Sequence, residues 1–482
     1  MQLTPPEPMP VIRASVDFRR QVVGLDTMVP VAGGGERPFI NLDHAASTPP
    51  FVRVLDAVTR LAPWYGNVHR GAGFKARLSS WAFDEARDTV HRFVGADPRT
   101  DVTIFTRNTT EAINHLAARL PLGPDAVVLV TGMEHHSNDL PWRRVARVVH
   151  VGLTADGAVD EGDLRRKLRE HRESVRLLAV SGASNVTGLV NPIRRFARLI
   201  HEAGGEIVVD AAQLVAHRPI DMHAGPPEEH LDYLAFSAHK MYAPFGVGVL
   251  VGARRALADG APYLAGGGAV DVVDQAHVVW ADLPDREEAG TPCVMGAVAL
   301  AAAIDVYREL GWERIQRHEA AVSAYAARRL AAVPGLMLYG GTDLLPSSDR
   351  LGVFAFNLAG MPHALLAAIL SHEWGIGTRS GCFCAHPYMQ QLLGIDNDWS
   401  RRAEESIRRG DRSELPGAVR ASFGLATTTA EVDALVTALT AIADGKHRSD
   451  YQVDRATGEY APSAWKAGPF APYLAGRPLL HA

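Results

Sequence analysis

Cysteine is nearly absent from the 482-residue chain: there are three, and two of them stand only two positions apart. So few thiols exclude a disulfide framework and suit a reducing compartment, where a cysteine is buried, metal-bound or reactive. Long apolar runs are missing as well. No segment approaches the ~20 unbroken apolar residues that a membrane span requires. The opening M-Q-L-T-P-P-E-P-M-P lacks the basic region followed by an apolar one that marks a secretory signal. Charge of one sign is also lacking. A formal net charge of −5 with mixed signs and no Lys/Arg run gives no field for nucleic acid or an anionic membrane. These absences predict a soluble, cytoplasmic protein with neither kind of partner. No metal-ligand set stands out, and the length predicts two domains.

Against that background, the stretch from Glu206 to Lys240 stands out. E-I-V-V-D at 206–210 reads as an apolar strand ending in an acid, and L-D-Y-L-A-F-S-A-H-K at 231–240 as another ending in lysine. Parallel strands are apolar on both faces and ligands bind beyond their carboxyl ends, so Asp210 and Lys240 could face one crevice. A desolvated lysine is a Schiff-base nucleophile. A carboxylate beside it would keep the ring nitrogen of pyridoxal 5′-phosphate (PLP) protonated, so that the ring accepts electrons. An ordinary Asp–Lys ion pair is the plain alternative.

Other polar clusters fall on strand ends. I-N-L-D-H-A-A-S-T-P-P at 40–50 ends a short strand at Asp43 and His44 and alone reads as a loop. In N-V-H-R-G-A-G, His69 is either a ligand-facing base or a satisfied loop histidine. V-T-I-F-T-R-N-T-T-E-A-I-N at 102–114 reads strand, turn, helix. Its Thr109 and Thr110 make the helix start a phosphate seat, or simply an N-cap. His135, in T-G-M-E-H-H-S-N, could lie on an aromatic ring. L-L-A-V-S-G-A-S-N-V-T-G at 177–188 places Asn185 beyond another strand.

V-H-R-G, T-R-x-T-T-E-A-I-N, M-E-H-H-S-N, S-N-V-T-G, V-D-A-A-Q and S-x-H-K, in this order, resemble the class V aminotransferase family and its group II cysteine desulfurase and selenocysteine lyase branch. The resemblance covers roughly residues 38–440. It implies the PLP-dependent fold type I: an α/β large domain with a mainly parallel, seven-stranded-type sheet, and a smaller α+β domain. It also implies that Lys240 binds PLP covalently, Asp210 pairs with the ring nitrogen, Gln213 bonds the phenolic oxygen and His135 stacks on the ring. Thr109, Thr110, Ser237 and His239 would cradle the phosphate, while Asn185 and His69 would lie near substrate. E-A-G-T-P at 288–292 resembles the segment whose threonine, here Thr291, reaches a neighbouring subunit's phosphate, which implies a homodimer with shared sites. In G-I-G-T-R-S-G-C-F-C-A-H-P the family pattern assigns Arg379 to the substrate carboxylate and Cys384 to sulfur acceptance. In V-R-A-S-F-G, Arg420 matches the arginine that pairs with the same carboxylate.

Two features depart from the branch. Cys382 and Phe383 stand where histidines commonly precede the cysteine, and C-F-C resembles instead the desulfurase-like domain of molybdenum cofactor sulfurases. Residues 391–416, rich in charge, look inserted, as a solvated helix and loop near the site's mouth. The expected division is an N-terminal arm at 1–35, a large domain at 36–292, a small domain at 293–445 and a tail at 446–482 without clear periodicity. The expected function is PLP-dependent removal of sulfur from L-cysteine, or a related thiol or selenol amino acid, through a Cys384 persulfide that some protein acceptor could unload. Rivals are a class V aminotransferase, epimerase or plain C–S lyase, or a non-catalytic partner protein.

Overall fold

The computed structural model describes residues 16–69, 71–341, 350–396 and 398–465. Residues 1–15 of the expected arm and 466–482 of the expected tail lie outside that range. The large sheet has seven strands, in the spatial order Asp101–Thr106, Gly248–Ala253, Tyr233–Ser237, Glu206–Asp210, Val175–Ser181, Val127–Thr131 and Arg147–Val151. All run the same way except Gly248–Ala253, which is antiparallel to both neighbours. The fold is therefore α/β with a mainly parallel sheet, as the resemblance implies.

The central strands are buried, except for half-buried Glu206 at one strand start, because both faces of the sheet are covered. Side chains alternate along a strand, so Val127 and Leu129 join one core with helices Phe74–Phe93 and Val294–Leu310. Val128 and Val130 join the opposite core, under helix Thr109–Arg119. At ~25 cal/mol per Å² of apolar surface removed from water, these two layers dominate the stability of the large domain.

The second sheet is antiparallel, in the order Leu336–Tyr339, Val353–Leu358, Ala418–Ser422 and Arg379–Gly381. Phe354, Phe356, Val419 and Ala421 pack there against helices Trp312–Ala331, His363–Trp374 and Thr429–Ala443. The last of these helices starts in a capping box, with Thr428 and Glu431 satisfying each other's backbone N–H. Strand Ile40–Asn41 pairs in parallel with Ile376–Gly377, and Leu42 enters the small-domain core.

The expected division at residue 293 does not coincide with core membership. Helix Val294–Leu310 is apolar on nearly every side and packs with the large-domain helices Val52–Leu61 and Phe74–Phe93, so beyond residue 293 the second core is entered only from the following helix onward. Within 391–416, helix Trp399–Arg408 buries only Ala403. The tail holds a hairpin of Tyr451–Asp454 with Glu459–Pro462. Buried Glu373 ties the hairpin down by accepting from the backbone N–H groups of Arg448 and Ser449 and the Tyr451 hydroxyl. Arg412 of the inserted stretch donates its N–H to Arg455 O at 2.7 Å.

Candidate active site

A cavity of about 400 Å³ opens beyond the carboxyl ends of the large sheet's strands, where the small domain and the 43–47 loop close over it. It brings together Lys240, Asp210, Gln213, Thr109, Thr110, Ser237, His239, His135, Asn185, Arg379, Cys384 and Arg420. Two expected residues are elsewhere. His69 and Thr291 are exposed and line a separate cavity with Gly267, Gly268 and Gly290.

Asp210 ends its strand with its carboxylate buried, and the Ala212 N–H donates to Oδ1 at 2.9 Å. Burial raises its pKa, against the pull of the Ala212 N–H and of Lys240. Lys240 follows the strand Tyr233–Ser237 in a single 3₁₀ turn. Burial brings its ammonium down to about 8, with Asp210 opposing and Arg420 assisting. The sheet thus delivers a carboxylate and a partly desolvated amine to one cavity. Gln213 Nε2 donates to Ala45 O at 2.7 Å, which fixes its side chain toward the 43–47 loop.

The helix Thr109–Arg119 points its N-terminus into the cavity, capped by Asn108, whose side chain accepts from Glu111 N–H. The Thr109 N–H donates to Ser237 Oγ at 2.8 Å, and the Thr109 and Ser237 hydroxyls stand 2.6 Å apart. The Thr110 and Ser137 hydroxyls form a second 2.6 Å pair. Hydroxyls at the positive end of a helix dipole form an anion seat. Gly248 makes the close approach possible, since a Cβ there would lie 2.4 Å from Asn108 Cα.

His135 Nδ1 accepts the Ser137 N–H at 3.1 Å, so its proton sits on Nε2. Burial, then Lys240 and His136, lowers its pKa to about 4, which keeps the ring neutral. Burial likewise takes His239 to about 4.

Arg420 is buried on its strand. It donates from Nη2 to Asp43 Oδ1 at 2.6 Å and from Nη1 to Asn185 O at 3.0 Å, and its guanidinium carbon lies 5.1 Å from the centre of the Phe383 ring. Its Nε is buried and unpaired. Burial lowers its pKa, against the Asp43 carboxylate. Exposed Arg379 stands 3.8 Å from the other Asp43 oxygen.

The cysteine loop turns through two non-glycine residues in the left-handed region, Phe383 at φ 52° and Cys384 at φ 55°. Three hydrogen bonds hold it: Asn185 Nδ2 to Phe383 O at 2.8 Å, His136 N–H to Cys384 O at 2.7 Å, and Ala385 N–H to Cys382 O at 2.9 Å. Cys384 is exposed toward the cavity. Half-buried Cys382 points elsewhere and donates from Sγ to Pro416 O at 3.1 Å.

Asp43, Ser137 and Asn108 also belong to this site, and Phe383, a departure in the motif, lines it as well. For Asp43 the only signal is an acid at the end of a short strand. Asn108 and Ser137 lie inside the T-R-x-T-T-E-A-I-N and M-E-H-H-S-N motifs.

The arrangement can seat an anion at one end, polarise a ring between Asp210 and Lys240, bind a carboxylate at Arg420 and Arg379, and present a thiol. The family model for class V aminotransferases matches residues 40–435. A cysteine desulfurase of Haloferax volcanii is 33% identical over 446 residues, covering 90% of this chain and 97% of its own. A probable cysteine desulfurase of Halalkalibacterium halodurans is 34% identical, covering 83% of this chain and 92% of its own. Among solved structures, the apo cysteine desulfurase of Thermococcus onnurineus superposes with a TM-score of 0.77 at 28% identity, covering 91% of this chain and all of that one. The cysteine desulfurase CsdA (S-sulfonic acid) of Escherichia coli superposes with a TM-score of 0.73 at 30% identity, covering 90% and 98%. With the family model spanning most of its length and these relatives aligned nearly end to end, the chain belongs to the class V aminotransferase family.

Proposed function

We propose that this protein is a PLP-dependent cysteine desulfurase, which takes sulfur from L-cysteine or a related thiol or selenol amino acid onto Cys384 and releases L-alanine. The observation that carries the reading is that Cys384 and two arginines share one cavity with Lys240 and Asp210. The relatives named cysteine desulfurase support it.

The donor set fits PLP. Thr109, Thr110, Ser237 and His239 surround a helix N-terminus suited to a phosphate, and buried Asp210 suits a protonated ring nitrogen. Gln213 would bond the phenolic oxygen, and neutral His135 would lie on the ring. Bound PLP supplies an electron sink that makes the substrate's alpha proton removable.

Lys240 would hold the cofactor through its amine. When freed, that amine is able to take and return the alpha proton near neutral pH, because burial has brought its pKa to about 8. Arg420, with Arg379 beside it, takes the substrate carboxylate, a bidentate role that suits a guanidinium. Asn185 contacts the substrate side of the cavity. Cys384 Sγ forms a bond to the substrate's sulfur as the substrate's Cβ–S bond breaks. L-cysteine and a thiol thereby become alanine and a persulfide, with no outside oxidant or reductant.

Thr291, which shares its own cavity with His69, would reach the phosphate of the neighbouring subunit in a homodimer.

The test is incubation of the PLP-loaded protein with L-cysteine while alanine and sulfide are measured together. Both products are expected. Cys384→Ala should stop both while leaving the cofactor's visible absorbance. Transamination or racemisation that survives Cys384→Ala would overturn the reading in favour of the rival chemistries.

A further inference from the structure

Residues 379–386 divide their side chains between two cavities. Arg379, Phe383 and Cys384 line the first, whereas Ser380, Gly381, Cys382 and His386 line a second of about 880 Å³. A cavity that size is in the range that holds a small molecule or a short peptide segment. Its other walls are helix His363–Trp374, the inserted stretch from Trp399 to Pro416, and the terminal hairpin. The last two are the segments for which the chemistry at Lys240 has no use. They are joined to one another by the Arg412–Arg455 backbone bond and by Arg412 Nη1 donating to Ala456 O at 2.9 Å.

Cys382 and Cys384 therefore leave one tight turn to line different cavities. Burial, and then Cys384, raises the Cys382 pKa to about 11. At rest Cys382 is a thiol that donates to the Pro416 carbonyl. Across the second cavity, His363 Nε2 bonds Leu415 O at 3.0 Å, which places its proton there and leaves Nδ1 as a buried acceptor without a partner.

We propose that Cys382 is a second sulfur-carrying thiol, which receives the sulfane sulfur from Cys384 and presents it in the second cavity to a thiol acceptor entering between the inserted helix and the terminal hairpin. The proposal rests on the cysteine desulfurase reading of the first cavity. In the transfer, the Cys382 sulfur attacks the outer sulfur of the Cys384 persulfide. The bond from that sulfur to Cys382 forms, its bond to Cys384 Sγ breaks, and the proton lost by Cys382 ends on Cys384 Sγ. Electrons balance without an oxidant, since the sulfane sulfur carries its oxidation level with it. An acceptor thiolate repeats the same exchange at Cys382 and leaves as a persulfide. Cys384 is thus free for a new substrate while unloading proceeds on the far side of the turn.

The PLP-loaded enzyme, with no reductant present, is given a few equivalents of L-cysteine. Alanine is counted per chain in the burst, and sulfane sulfur is located by fragmentation of the 379–386 peptide. The expected burst is about two alanines per chain for the parent, about one for Cys382→Ser and none for Cys384→Ser, with sulfur on both cysteines of the parent. Dithiothreitol should then turn the parent over faster than Cys382→Ser. A parent burst of one, with sulfur on Cys384 alone, overturns the relay and leaves the desulfurase reading intact. No alanine from the parent overturns the reading itself and the relay with it. Should Cys382→Ser fail to fold, the location of sulfur in the parent decides.

Discussion

The Asp43 carboxylate is bonded to Arg420 at 2.6 Å and stands 3.8 Å from Arg379, so the two guanidiniums assigned to the substrate's carboxylate share a counter-ion from the N-terminal strand region. Asp43 lies where the chain crosses from the small-domain core, entered by Leu42, to the loop over Lys240. Arg420 is thereby fixed in place by Asp43 and the Asn185 carbonyl.

Asp43→Ala leaves a buried guanidinium without its counter-charge, which costs about 3 kcal/mol. A urea titration should show a loss of that order. The KM for L-cysteine should rise more than kcat falls, because orientation of the carboxylate site is lost. Adding Arg420→Met in the same chain should recover part of the stability. No recovery would mean that the pair is not coupled.

For Lys240 the sign of the pH effect follows from its lowered pKa. Below about 8 the amine is protonated in both folded and unfolded chains, and the folded state bears the burial penalty. Between about 8 and the ordinary 10.5 the unfolded chain holds a proton that the folded one does not, so folding gains as pH rises. Apo Lys240→Met, which lacks the charge, should be more stable than the apo parent at pH 7 by about 3 kcal/mol at most, and the gap should close toward pH 10.5. The same substitution should abolish turnover and the bound cofactor's visible band. Turnover at the parent's rate would refute the assignment of Lys240.

Asp210→Asn should retain PLP while kcat falls on the order of a hundredfold, since the carboxylate acts on charge that develops during reaction more than on binding. Steady-state kinetics with a PLP titration separates the two effects. An unchanged kcat would contradict the role.

Gly248→Ala forces the start of helix Thr109–Arg119 away from its neighbouring strand, because the new methyl would meet Asn108 at 2.4 Å. The expected result is a stability loss of about 2 kcal/mol and weaker cofactor retention, although residue 248 does not line the cavity. Absorbance titration with PLP checks it.

Much of the large domain was legible in the chain because a parallel sheet writes itself plainly: apolar strands such as Ile207–Val209 stop at polar ends, and those ends converge by topology. Asp210, Lys240, Thr109 and Asn185 were found in this way. The C-x-C loop and both arginines came from the order of motifs, which carries chemistry that periodicity does not.

What stayed hidden depends on long-range contacts. The Ala-rich helix Val294–Leu310 reads from the chain as the start of the small domain, and only its packing against the 52–61 and 74–93 helices joins it to the large-domain core. Asp43 looked like a loop acid because its partner lies 377 positions away. His69 and Thr291 lie apart from the cavity, although their motifs match those of residues near substrate and phosphate. The tail hairpin did leave a trace, with Tyr451 and Val453 alternating with exposed Gln452 and Asp454 ahead of Gly458, but four residues of alternation are easily passed over.

Phe383 and Cys384 both adopt backbone conformations that side chains disfavour, at roughly 1–2 kcal/mol each, and hydrogen bonds to Asn185 and His136 hold them there. The thiol's direction is therefore written into the main chain, with rotation about its own side-chain bonds a lesser influence. A selenocysteine or serine placed at position 384 would inherit the same bearing, so exchanging the reacting atom changes its chemistry without changing where it points. Glycine at 383 would relax the turn and let that bearing wander, even though no reacting group had been touched.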